Sequence, residues 1–293
     1  MSDTPGPIPV GRPRKTSEVV ARSPACRPLR DLYRWADEEN FASWNQVEER
    51  FLSAMGEFDS SLAATATADD PEALDGLVAD LQNGKGDFFN DLLALLLENC
   101  SGIEHLYARS SVPGLLVEIH NLDGVYPDTG ELGFLLEAKM MGTPKHALNR
   151  KQKEPRGRRG SADIGKRVKE LAFKAIDLKG EASRRRTMLG GRPTEGGAGG
   201  GDLSTWLRST EPKIYFFLAA RVISDSDFRA VLRWCGAAAQ VVDAVGLYCY
   251  EPIGDDFTAY RRREGVPTEL ALDRTLYKAC LDLQHLKARS SDA

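Results

Sequence analysis

The sequence of 293 residues has no apolar run approaching the length of a bilayer span; runs such as Leu92 to Leu97 are far too short, so no membrane partner is expected. The first residues carry basic side chains and prolines but no apolar stretch followed by a cleavage site, which sets a cytoplasmic location as the expectation. Cysteine is sparse and unpatterned. Cys26, Cys100, Cys235, Cys249 and Cys280 are odd in number and lack a C-x-x-C pair, which argues against both a disulfide framework and a cysteine-based zinc site. The four histidines (His105, His120, His146, His285) show no H-x-x-x-H spacing. Arg184 to Asp202 is rich in glycine but lacks the Lys-Ser/Thr ending of a phosphate-binding loop, and no helical pattern follows it at once, so it is no nucleotide site.

Large net charge is also missing: the whole chain carries only −4. Its distribution is uneven. From Lys145 to Arg192 there are sixteen Lys or Arg against five Asp or Glu, a net of +11 that leaves −15 for the rest. A basic segment of this kind suits a surface that tracks phosphates, and it equally suits a solvated loop.

What is present is a 42% hydrophobic content, enough for a sizeable core. Residues 1–28 read as a flexible arm rich in Pro, Gly and Ser. Residues 29–83 read as an acidic helical extension, with Leu32, Trp35, Val47, Phe51, Met55 and Phe58 at helical spacings and a second helix starting at Pro71. From Gly84 to Cys100 a separate helix is expected, capped by Asp87, with Phe89, Leu92, Leu93, Leu96 and Leu97 on one face. A first strand is expected within Ile103 to Ser110. Beyond a basic and Gly-rich insertion over 145–202, Ser161 starts a helix whose apolar face holds Ile164, Val168, Leu171 and Ala175, with Gly180 as its stop. Lys213 to Ile223 reads as a central strand, Asp225 to Val242 as a helix and Val245 to Tyr250 as a strand, which implies a parallel crossover. A last helix is expected over Pro267 to Lys287, within a C-terminal segment 261–293.

The chemically useful side chains concentrate in a hairpin between Leu115 and His146. Leu115 to Tyr126 and Leu132 to Met141 are two apolar strands around Pro127 to Glu131, which has turn chemistry. With Asp128, Thr129 and Gly130 as a three-residue loop, Pro127 pairs with Glu131 and Asp123 sits opposite Leu135, diagonal to Glu137. Side chains alternate with period two, so Asp123, Glu137 and Lys139 share a face, while Glu118 takes the opposite face. Two carboxylates within reach of one divalent cation, beside an ammonium, suit hydrolysis of phosphate esters. The second strand is apolar on both sides, and a buried strand rarely holds an unpaired Glu and Lys.

Asp123 followed by Glu137-Ala138-Lys139 resembles the signature of the PD-(D/E)XK nuclease superfamily. The literal Pro-Asp pair is Pro127-Asp128, but a residue in the turn would lie roughly 20 Å from Glu137 at about 3.3 Å per strand residue, so Asp123 is preferred and Asp128 is the alternative. The resemblance covers roughly 170 of the 293 residues, in which the order from Gly84 to Tyr250 is similar to the αβββαβ core of that fold with one added crossover. It implies an α/β protein with a restriction-endonuclease-like core in 84–260, a central mixed sheet flanked by helices. It further implies Mg²⁺, one or two ions with Mn²⁺ able to substitute, held by Asp123, Glu137 and the Ala138 carbonyl. Where the family's preceding helix often supplies a Glu, this chain has Asn90, with Asp91 next to it.

Lys139 would orient a water or stabilise negative charge. The implied activity is phosphodiester cleavage in double-stranded DNA leaving a 5′ phosphate, most like a type II restriction endonuclease acting in host defence as a homodimer. DNA-facing candidates are Lys145, Arg156, Arg158 and Arg159 in the linker, Lys166, Arg167, Lys169 and Lys174 on the helix, and Arg184, Arg185 and Arg186, which would make the Gly-rich segment a flap. A repair or antiphage nuclease would carry the same residues. A non-catalytic nucleic-acid-binding module is the competing class.

Overall fold

The computed structural model describes residues 23–65, 71–112, 114–118, 120–126, 133–144, 157–189, 211–254 and 259–291. Asp128, Lys145, Arg156, most of the proposed arm and the Gly-rich segment from residue 190 lie outside them. A 3₁₀ turn at Pro24–Cys26 leads into α1 (Arg27–Glu38), followed by α2 (Trp44–Thr65) and α3 (Pro71–Ser101). Three strands follow, β1 (Tyr107–Val112), β2 (His120–Tyr126) and β3 (Phe134–Met141), then α4 (Ile164–Leu189), β4 (Lys213–Arg221), α5 (Asp225–Ala238) and β5 (Ala244–Pro252). A short β6 (Tyr260–Arg262) and α6 (Leu272–Ser291) complete the order. Among the described residues no helix is long and apolar enough to cross a membrane.

The strands form one open mixed sheet in the order β1-β2-β3-β4-β5-β6. β3, β4 and β5 are parallel neighbours, and the remaining pairs are antiparallel. Every residue of β4 after Lys213 is buried, as expected of a central strand covered on both faces. Phe134, Leu136 and Ala138 of β3 join Tyr215, Phe217 and Ala219 of β4 on the face covered by α1, α2, α3 and α6. Leu135 joins Ile214, Phe216 and Leu218 on the face covered by α4 and α5. Period two thus sends Glu137 and Lys139 toward the α4 side. The helices read as an extension share the sheet's core: the ring of Trp44 in α2 lies 4.9 Å from that of Tyr248 in β5. The chain is therefore α/β, a mixed open sheet flanked by helices.

Two expected helix boundaries are absent. α3 runs unbroken through Gly84, Gly86 and Asp87, so Asp87 caps nothing. Leu81, Phe88, Phe89 and Leu92 are all buried on either side of the glycines, and that burial outweighs a cost of about 1 kcal/mol per glycine. α4 likewise continues past Gly180 to Leu189, because Leu178 and Ala182 extend its buried stripe. Gly180 serves close approach instead, since a Cβ there would sit 3.0 Å from Leu115 Cδ2.

A strand starting at Leu115 is also corrected: β2 begins at His120. Asp177 of α4 draws the preceding segment off the sheet, accepting hydrogen bonds from the amides of Leu116 (2.6 Å) and Val117 (3.2 Å) and pairing with His120 Nε2 at 2.7 Å. Glu118 lies in this exposed bend and not on a strand face. Burial pushes the Asp177 carboxyl up, but the His120 and backbone hydrogen bonds outweigh it and hold the pKa below its usual 3.8. Its stabilisation is complete above the unfolded value and is lost as pH falls through the lower folded value. Asp177→Ala is expected to cost about 2–3 kcal/mol at pH 7, read by urea denaturation, because two amides and an imidazole lose their acceptor.

On the opposite face of the sheet, Asp59 (α2), Lys85 (α3), Arg221 (β4) and Tyr260 (β6) form a buried polar cluster. Lys85 Nζ has no hydrogen-bond partner, and burial lowers its pKa against the opposing pull of Asp59. A protonated Lys85 would set two cations, itself and Arg221, against the single carboxylate of Asp59. Lys85→Met is expected to raise stability at pH 7 by about 1 kcal/mol. Because the folded pKa is lowered, the wild type gains stability as pH rises toward 10.5, so the difference in urea midpoint should shrink over that range.

Candidate active site

The site begins with an irregularity in β2. Tyr107 and Arg109 of β1 pair with Val125 and Leu122, so two steps along β1 meet three along β2, the signature of a bulge around Asp123-Gly124. Toward β3, Tyr126 pairs with Phe134, Val125 with Leu135 and Gly124 with Leu136. This register differs by two residues from the one expected of a three-residue loop, which placed Asp123 opposite Leu135. A shift of two preserves the face assignment, and it brings Asp123 closer to Glu137.

Past Gly124 the Asp123 side chain takes over the ladder's role. Its Oδ2 accepts the Ala138 amide at 2.9 Å and the Lys139 ammonium at 2.8 Å. Lys139 Nζ also donates to Glu137 Oε2 at 3.3 Å, so one ammonium joins the two carboxylates. Asp123 and Glu137 are buried, whereas the Lys139 side chain is 33% exposed. Burial alone would lower the Lys139 pKa, but Glu137 and Asp123 outweigh it and hold it above 10.5, so the group is a cation at neutral pH.

Asn90 reaches the site from α3, donating from Nδ2 to the Asp123 carbonyl at 3.2 Å. Its Oδ1 is buried with no hydrogen-bond partner. Asp91 does not line the cleft. Among the described residues no three His, Cys, Asp or Glu side chains gather to hold a metal. The donors lining the cleft are the carboxylate oxygens of Asp123 and Glu137, all hard oxygens; Asn90, like Asp91, does not line it. Such a set fits an ion that keeps several of its own waters, as Mg²⁺ does, better than one needing a full protein cage.

Above the strands α4 closes a cleft of about 380 Å³. Asn121, Asp123, Glu137 and Lys139 line its sheet side, and Arg167, Glu170 and Lys174 line its helix side. Lys174, expected only as a DNA-facing residue on a solvated helix face, bonds directly to Glu137 Oε1 and donates to the Asn121 carbonyl at 2.6 Å. The i, i+3, i+4 pattern does place Leu171, Ala175 and Leu178 on the buried face. It could not show that a lysine at the edge of that stripe would reach a carboxylate 37 residues away.

The other basic candidates are dispersed. Lys166 and Lys169 are exposed on α4, and Arg167 pairs with Glu170 at 2.9 Å. Arg158 pairs with Asp163, and its backbone bridges Thr143, closing the stem of the basic insertion. Arg159 lies in the turn before α4. Arg184 is held by Glu181 at 2.6 Å within α4 and not in the cleft. Arg185 and Arg186 belong to the last turns of α4, and their side chains lie outside the described set. Compared with protein-family models, with curated proteins and with solved structures, the chain has no significant match in any of the three.

Proposed function

We propose that this chain is a metal-dependent endodeoxyribonuclease of the PD-(D/E)XK type, cutting phosphodiester bonds in double-stranded DNA. The observation that carries the reading is the Lys139 ammonium shared between Asp123 and Glu137 at the floor of a cleft walled by the basic helix α4. The order from α3 to β4, one helix, three strands, a helix and a strand, supports it as the αβββαβ arrangement of a restriction-endonuclease-like core.

In this reading Asp123 and Glu137, with the Ala138 carbonyl as a neutral oxygen, would hold one or two Mg²⁺ ions, Mn²⁺ being an acceptable substitute. Bound there, such an ion would supply a water of lowered pKa and offset charge on the phosphoryl oxygens. Lys139, a cation at neutral pH, stabilises negative charge as it develops on those oxygens. Arg167 binds a flanking phosphate at the cleft's helix side. The bond broken is the one that leaves a 5′ phosphate.

We further propose a type II restriction enzyme of host defence, working as a homodimer on short duplex sites in the cytoplasm. A repair or antiphage nuclease would use the same residues, and the products separate them: discrete plasmid fragments support restriction, and a smear supports nonspecific cutting. A second reading, a nucleic-acid-binding module with an idle metal site, rests on Asn90, a neutral side chain where a third carboxylate would strengthen metal binding. Incubating the protein with plasmid in Mg²⁺, Mn²⁺ or EDTA decides between the classes. Cutting that needs the metal supports the nuclease, and binding without cutting under either metal overturns it.

A further inference from the structure

We propose that Lys174 is a positioning residue that competes with the divalent ion for Glu137 and passes to the substrate's phosphate when metal and DNA bind together. This inference rests on the nuclease reading. Each oxygen of the Glu137 carboxylate takes one ammonium: Lys139 on Oε2 and Lys174 on Oε1. Among the described residues two carboxylates therefore face two ammonium groups, with Arg167 paired to Glu170 beside them, so the charges of these six groups balance. A divalent ion entering alone would leave +2 among side chains that are largely buried, which is unfavourable. The negative charge of a bound phosphodiester would offset part of that excess.

The geometry limits the movement to a side chain. Asp177, three residues on along α4, ties that helix to the segment before β2 through Leu116, Val117 and His120, so the backbone at Lys174 stays in place. Lys174 is anchored a second time on the Asn121 carbonyl at the mouth of the same cleft. A lysine has a flexible stem and three donors, so it can release Glu137, keep its hold near Asn121 and turn toward a bound phosphate. Metal and DNA each bind weakly alone and tightly together, because each removes the charge penalty of the other.

The test is titration with Mn²⁺ alone, free ion being read by electron paramagnetic resonance, on the wild type, Lys174→Met, Lys174→Arg and Glu137→Gln, with cleavage of duplex DNA at saturating Mn²⁺ measured in parallel. Lys174→Met is expected to bind Mn²⁺ about tenfold more tightly than the wild type, the scale of a single-charge coupling, while its turnover falls about tenfold. Lys174→Arg, which keeps the charge and controls for folding, should retain the weak Mn²⁺ binding of the wild type. A purely structural lysine would not move the two readouts in opposite directions. Unchanged or weaker Mn²⁺ binding in Lys174→Met, or tighter binding with unchanged turnover, overturns the inference. The nuclease reading then survives if the wild type binds Mn²⁺ and Glu137→Gln does not. Absence of saturable Mn²⁺ binding to both the wild type and Lys174→Met overturns both.

Discussion

Lys139→Ala is expected to reduce Mg²⁺-dependent cleavage of duplex DNA by about 10³-fold, the cost of removing one group that stabilises developing charge. The variant keeps Asp123, Glu137 and the Ala138 amide, so it should still bind Mn²⁺. It loses the ammonium that joins the two carboxylates at 2.8 and 3.3 Å. Without metal those buried carboxylates repel each other with no ammonium between them, and stability should fall by about 1–2 kcal/mol. Adding Mg²⁺ should recover that loss, because the ion replaces the missing charge. Single-turnover cleavage and thermal unfolding with and without Mg²⁺ measure both effects. Full activity in the variant would remove Lys139 from the chemistry.

The largest stability effect is expected far from the cleft. Asp59 is fully buried in α2, accepts the Tyr260 hydroxyl, and through it meets Arg221, whose Nε donates to Tyr260 at 3.2 Å. This chain ties a helix of one layer to β4 and to the edge strand β6. Asp59→Ala leaves Arg221 and Lys85 buried with no counter-charge in the cluster, a change worth about 3–5 kcal/mol. Urea denaturation at pH 7 reads it, and a loss below about 1 kcal/mol would show that the cluster is solvated in solution. Nuclease activity of the folded variant should persist, since the cluster lies on the face of the sheet opposite Glu137 and Lys139.

The sharing of one face by Asp123, Glu137 and Lys139 was legible because strand periodicity is two and survives a register shift of two. The register itself was not, since it depends on where pairing stops, and the last pair is Tyr126 with Phe134. The bulge at Asp123-Gly124 left no mark in the sequence either, yet it accompanies the turn of Asp123 onto the Ala138 amide.

Local signals failed wherever tertiary contacts outweighed them. Gly84 and Gly180 read as helix breaks, but continuous buried stripes carry α3 and α4 through them. Leu115 to Val117 reads as strand, but Asp177 removes its amides from the sheet. Lys174 and Asp59 show the same limit for charge. One looked like a solvated helix lysine and the other like part of an acidic surface, and their partners lie 37 and 201 residues away.

The nuclease proposal requires that Asp123 and Glu137 form a divalent-cation site. Anomalous diffraction from crystals soaked in Mn²⁺ tests it most directly. The expected result is a Mn²⁺ peak bonded to an oxygen of each carboxylate, with Lys174 withdrawn from Glu137. A cleft that stays free of anomalous density, with Lys139 still joining the two carboxylates, would contradict it.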